Sequence, residues 1–254
     1  MSVTMDRRVR AQPRGESMYF GMAVLCAAIA FAGFAPTYWM PVTQGRFAGN
    51  PIVHVHGVVF SAWSLFLVYQ TWLATSGHVM RHRRMGLVGV AFATAMTIFG
   101  VLAGVNMMRL GVASGQAEAA RAFGFVPLSS IAFFAVVVTI AIVRAREREV
   151  HKRLMLLASV SIVDAAIARM FFVLLAPPGA PGTIPPVMAD VGPGLVTCAL
   201  LLIPMAQDWR LHGRPHAAYV WGGLSLLALK LLQVPIAASA AWQAAAGEIL
   251  AIAG

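Results

Sequence analysis

Seven apolar runs fill this chain of 254 residues, each reaching the 20 or so residues a helix needs to cross a bilayer. They fall at roughly 18–40, 52–74, 85–108, 122–143, 154–176, 187–206 and 218–238. The fold class that follows is all-α, an integral membrane bundle of seven transmembrane helices in a single domain covering 1–254. The longest pieces left over, the first 17 and last 16 residues, are too short to bury a core of their own. Composition agrees: 59% of residues are hydrophobic and 11% charged, less than half the charged fraction of an ordinary soluble domain.

Basic residues gather at every second gap, and short loops rich in Lys and Arg stay in the cytoplasm. Fourteen of the nineteen lie on one side: Arg7, Arg8, Arg10, Arg14, Arg81, Arg83, Arg84, Arg144, Arg146, Arg148, Lys152, Arg153, Arg210 and Arg214. Arg46, Arg109 and Arg121 lie on the other, while Arg169 and Lys230 fall inside spans. The N-terminus is therefore expected in the cytoplasm and the C-terminus outside. A basic inner face points to anionic lipid headgroups as partners. No interleaving of aromatic with basic residues suggests nucleic acid.

The first run, from Met18 to Met40, exceeds the apolar core of about 7 to 15 residues that a secretory leader carries, and is read as a helix. Cys26 and Cys198 both sit in spans and suggest packing rather than a disulfide or thiolate site. After the first helix the chain reads as three hairpins turning on basic, histidine-containing loops. The returning segments begin "HRRMGLVG" at His82, "HKRLMLLA" at His151 and "HAAYVWGG" at His216. The first two suggest a weak internal repeat, although the positive-inside constraint alone would also produce them. Gly89, Ala93, Gly100 and Gly104 let neighbouring backbones approach the third helix, which predicts a central position for it. The segment "APPGAPGTIPP", 176–186, has no period and reads as a loop.

Ionisable groups inside spans cost about 2.5 to 3.5 kcal/mol each on insertion scales, so each needs a partner or a task. The clear cases are Asp164, Arg169 and Lys230. At 1.5 Å per residue, Asp164 lies about 15 Å and Lys230 about 18 Å from the basic side, which predicts an ion pair between them. Arg169 lies about 22 Å deep, at a level that His56 reaches from the other side. A second polar level is expected there, formed by His56, Arg169, Asn106 and Tyr38. The Asp164–Lys230 pair could simply hold two helices in register while Arg169 snorkels to headgroups. Alternatively, two cations against one carboxylate leave a positive charge that could hold an anion, or the groups form a proton path. His56, Trp63 and Gln70 recur at seven-residue intervals, with Phe60 between, and should face the bundle interior.

Five histidines lie on the basic side: His78 with His82 and His212 with His216, both pairs at i and i+4, and His151. The spacing suits a metal or haem on one helical face. The neighbours are arginines, however, which repel a bare cation and fit an anion: lipid phosphate, a haem propionate or an anionic substrate. No metal site is therefore assigned. His82, His151 and His216 are the candidates for haem or an anion, with one haem bridging His82 to His151 or to His216.

At "FAPTYWMP", "HVHGVVFSAWSLFLVYQ", "HRRMGLVGV" and "HKRLMLLASVSIVDAAIAR" the chain resembles a broad group of uncharacterised polytopic membrane proteins of bacteria. That resemblance covers most of the length and implies the bacterial inner membrane, but no activity. The eight residues "HKRLMLLA" also resemble the corresponding turn in a small membrane family linked to cytochrome oxidase assembly. That resemblance implies haem as a cofactor and a respiratory complex as a partner.

No Ser, His and Asp constellation or Gly-rich phosphate loop can be placed, so no catalytic residue is assigned. The expected function is non-enzymatic: a polar site of Asp164, Arg169 and Lys230, with His56, Asn106 and Tyr38, that binds or moves a small anionic ligand. The alternatives are a haem-binding or oxidase-assembly protein acting through the inner histidines, and a ligand-free scaffold.

Overall fold

A computed structural model describes residues 16–47, 49–175 and 183–253. The four N-terminal arginines and most of the 176–186 loop lie outside the described residues. Among these residues every regular element is helical. Seven helices are long and apolar enough to cross a membrane: α1 (Glu16–Thr43), α2 (Pro51–Thr75), α3 (Val79–Ala113), α4 (Ala117–Val143), α5 (Arg148–Leu174), α6 (Val187–His212) and α7 (Ala217–Ala238). An eighth, α8 (Ala240–Ala253), occupies the stretch that the sequence leaves as a tail.

The helices overrun the apolar runs, because hydrogen bonding within a helix does not stop where hydropathy does. With 35 residues, α3 is about 52 Å long, well beyond the roughly 30 Å of a hydrocarbon core. Its flanking Arg81, Arg83, Arg84 and Arg109 are therefore helical rather than in loops. Likewise α5 begins early enough to carry Arg153, and α6 continues far enough to carry Asp208. The turns between are short. Gly77 and Gly213 stop α2 and α6 with φ of 84° and 73°, a left-handed backbone that glycine adopts without Cβ strain.

In α1 the residues Ala35–Trp39 form a π-helical turn. Pro36 cannot donate to the ladder and its ring crowds the preceding carbonyl, and the wider turn absorbs both. That turn buries Tyr38, whose hydroxyl lies 3.1 Å from Nδ1 of His54.

Helices α1, α2, α3, α4 and α5 pack in a closed ring, each on the next and α5 back on α1. Trp63, Met96, Phe134, Leu157 and Val160 belong to the main core cluster, with Trp63 edge-on to Phe134 at 5.5 Å. Trp63 and Gln70 are buried, so their stripe does face inward. Helices α6 and α7 lie outside the ring against α5, with α7 also against α4, and α8 folds back onto α3, α4 and α7.

Helix α5 therefore has neighbours on several sides, and 61% of its apolar window is buried against 22% for α3. This corrects the expectation that the glycine-bearing third helix is central. The glycines serve close approach to two neighbours rather than enclosure: a Cβ at Gly100 would stand 2.7 Å from Ile131 and one at Gly104 3.1 Å from Leu128, both on α4, while one at Gly89 would stand 3.1 Å from Phe66 on α2.

Candidate functional site

A buried polar and charged cluster lies within α4, α5, α6 and α7, all long and apolar enough to span a membrane. Lys230 of α7 is fully buried. Its ammonium has three protons to donate, and three acceptors surround it: Oδ2 of Asp164 at the shortest range, Oδ2 of Asp190 at 3.1 Å and Oγ of Ser130 at 3.3 Å. The predicted Asp164–Lys230 ion pair is thus formed. Thr197 places its hydroxyl 3.1 Å from Oδ1 of Asp164 and 3.0 Å from the carbonyl oxygen of Pro193, so its one proton can serve either. Gln233 donates from Nε2 to Oδ2 of Asp190 at 3.2 Å. Its Oε1 is buried and has no hydrogen-bond partner among the described residues.

Local sequence explains how the helices come this close. At Gly194 a Cβ would stand 2.7 Å from Cδ of Lys230, so the hydrogen there leaves the space the lysine stem fills. Where α1 meets α5, Gly33 lies against the backbone of Ala166, which leaves no room for a side chain.

Arg169 does not join the cluster. Five residues beyond Asp164, it is turned about 140° around α5 at 3.6 residues per turn, and its guanidinium lies over the Phe34 ring at 5.0 Å on the exposed side. Asp190 occupies the place expected for a second charge. The cluster holds one cation and two carboxylates rather than two cations and one carboxylate, which reverses the sign of the spare charge.

The residues of the expected second polar level do not form one hydrogen-bonded group, although His56 lies within electrostatic range of Arg169. Tyr38 meets His54, and Asn106 accepts from Asn50 at 2.5 Å. His56 packs on Phe60 with ring centres 4.0 Å apart, and its buried Nδ1 has no partner among the described residues. These residues do not converge on the Lys230 cluster.

At the basic end Arg153, 3% exposed, grips Asp208 with a two-pronged contact: Nε to Oδ2 at 2.9 Å and Nη2 to Oδ1 at 2.5 Å. Its Nη1 donates to Oε2 of Glu149 at 2.5 Å, and the backbone N–H of His216 donates to Asp208 at 3.2 Å. This network ties α5, α6 and the start of α7 together. It lies eleven residues, about 16 Å, from Asp164 along α5.

The three inner histidines separate into two roles. His82 and His151 come together with ring centres 6.4 Å apart and planes at 72°. Each reaches back to its own hairpin, His82 Nδ1 to the carbonyl oxygen of Gln70 at 3.3 Å and His151 Nδ1 to that of Ala141 at 2.7 Å. His216 instead caps α7, accepting at Nδ1 from the N–H of Ala218 at 3.1 Å. Burial and then the Arg153 charge hold its imidazole below its ordinary pKa. Among the described residues no group of three or more His, Cys, Asp or Glu is placed to hold a metal ion.

Asp190, Asp208 and Arg153 are the charged residues that the apolar runs alone do not disclose. Asp190 follows a proline-rich loop and reads as its edge, Asp208 falls two residues past the apolar run, and Arg153 counts as one of a basic turn. Their scarcity is the usable signal: the chain has only nine acidic residues, so a carboxylate at the edge of a span warrants the same question as one inside it. Comparison of the chain with family models, curated proteins and solved structures finds no match, and the chemistry of the cluster itself is the basis for assigning a role.

Proposed function

We propose that this multi-pass protein of a bacterial cytoplasmic membrane binds a small anion at Lys230 and moves it together with protons held by Asp164 and Asp190. The observation that carries the proposal is a fully buried ammonium facing two buried carboxylates inside spanning helices. A clamp between two helices needs one pair. A third buried charge adds a desolvation cost of several kcal/mol, and it leaves a net negative site in apolar surroundings. Protonating one carboxylate neutralises the cluster, and protonating both leaves the ammonium free to accept an anion. The unused Oε1 of Gln233 is an acceptor beside Asp190, suited to a protonated carboxyl or a ligand donor.

Proton and anion occupancy are therefore coupled, and the anion binds more tightly as pH falls. The test is proton uptake into proteoliposomes that carry a lumenal pH dye, on addition of succinate or inorganic phosphate at pH 6 and pH 8. An anion-dependent proton flux, larger at pH 6 and lost in Asp190→Asn and Lys230→Met, is expected. Flux indifferent to both substitutions, or no flux with either anion from correctly inserted protein, overturns the assignment.

A further inference from the structure

We propose that His82 and His151 are the two axial ligands of one haem at the basic end of the bundle. The first support is spacing. A metal–imidazole nitrogen bond is about 2.0 Å, and the nitrogen stands about 1.1 Å from its ring centre, so two rings on opposite sides of one metal have centres about 6.2 Å apart. The two histidines stand at 6.4 Å. Rings bridged by a tetrahedral ion would come closer, at about 5 Å with the same bond length.

The second support is tautomer. Each Nδ1 faces a backbone carbonyl, an oxygen that can only accept, so the ring proton sits on Nδ1 and Nε2 keeps its lone pair. This is the arrangement by which outer-shell carbonyls fix metal-binding imidazoles. It occurs twice, once in each of two successive hairpins, on the residues that open "HRRMG" and "HKRLM".

The third is room and charge. Gly86 lies one turn beyond His82 on the same helical face, and a Cβ built there meets no atom within 4 Å. Arg81, Arg83 and Arg84 are exposed beside it. They disfavour a bare cation, whereas a haem brings its iron inside a dianionic ring with two propionates that arginines pair well. Along α5 the pair lies thirteen residues, about 20 Å, from Asp164, so it stands or falls separately from the anion site.

The test is titration of the full-length protein in mild detergent with haemin, followed by visible spectra before and after dithionite. One equivalent should give a low-spin spectrum whose bands sharpen on reduction. His82→Ala and His151→Ala should each lose it, His216→Ala and Asp164→Asn should keep it, and Gly86→Phe should block binding without removing a ligand. If the histidine variants aggregate, electron paramagnetic resonance of the native complex decides, with a low-spin bis-imidazole signal required. A native protein that takes up no haem, that binds it high-spin, or that binds only copper(I) in a parallel chelator competition overturns the proposal, as does haem binding that both histidine variants retain.

Discussion

Lys230 shows how one side chain organises the interior of a helix bundle. Its ammonium spends all three protons on Asp164, Asp190 and Ser130, and the stem fills the gap left by Gly194. Removing it leaves two buried carboxylates near each other with no cation, and breaking a buried ion pair costs about 3 to 5 kcal/mol. Lys230→Met should therefore lower the thermal unfolding midpoint sharply in detergent. The triple variant Asp164→Leu, Asp190→Leu, Lys230→Met removes every charge at once and should recover most of that loss, since apolar replacement of a buried ionic group is often neutral or better. Equal destabilisation in the single and triple variants would show that packing, not charge, sets the loss. Asp164 and Lys230 are legible in the sequence because they interrupt apolar runs. Asp190 is not, because its run begins only a few residues before it.

At the scale of elements, α6 is fastened to α5 and α7 at two levels, through Asp208 near one end and through Asp190 and Thr197 near the other. The upper fastening depends on close approach at Gly194. Gly194→Ala places a methyl 2.7 Å from Cδ of Lys230, in the middle of the stem rather than at its mobile tip. Overpacking of this kind costs about 1 to 3 kcal/mol, and the thermal midpoint should fall accordingly. In a Lys230→Ala background only the Cβ remains, 3.2 Å away, and the penalty of the same alanine should shrink markedly; an unchanged penalty would place the strain elsewhere. Helix existence was readable from the apolar runs, with starts and ends displaced where charged residues continue the helix. The central place of α5 was not readable from glycine spacing, since small residues on α3 admit close approach by α2 and α4 without enclosing the helix. The same helix carries Arg153, Ser159, Ser161 and Asp164, all buried, and this polar content is what a helix surrounded by protein rather than lipid can hold.

At the scale of the molecule, the basic residues sort onto alternate turns, and this predicts the basic end in the cytoplasm with α8 on the outer side. Cysteines introduced at exposed Ser76 and Ala240 test it, since native Cys26 is buried and Cys198 partly so. A membrane-impermeant maleimide should label Ala240→Cys on intact spheroplasts, and Ser76→Cys only after permeabilisation; the reverse pattern would invert the topology. The sequence by itself determined the all-α class, the order of the helices long and apolar enough to span a membrane, the end at which positive charge collects and the Asp164–Lys230 pair. Each of these depends on hydropathy, on charge or on depth along a helix axis, and all three can be read along one dimension. The tertiary structure decided which faces meet: that Asp190 rather than Arg169 joins the cluster, that His151 rather than His216 meets His82, and that α5 is enclosed. Those outcomes depend on rotation about each helix axis and on which helices are neighbours, and neither is set until the side chains of all seven pack together.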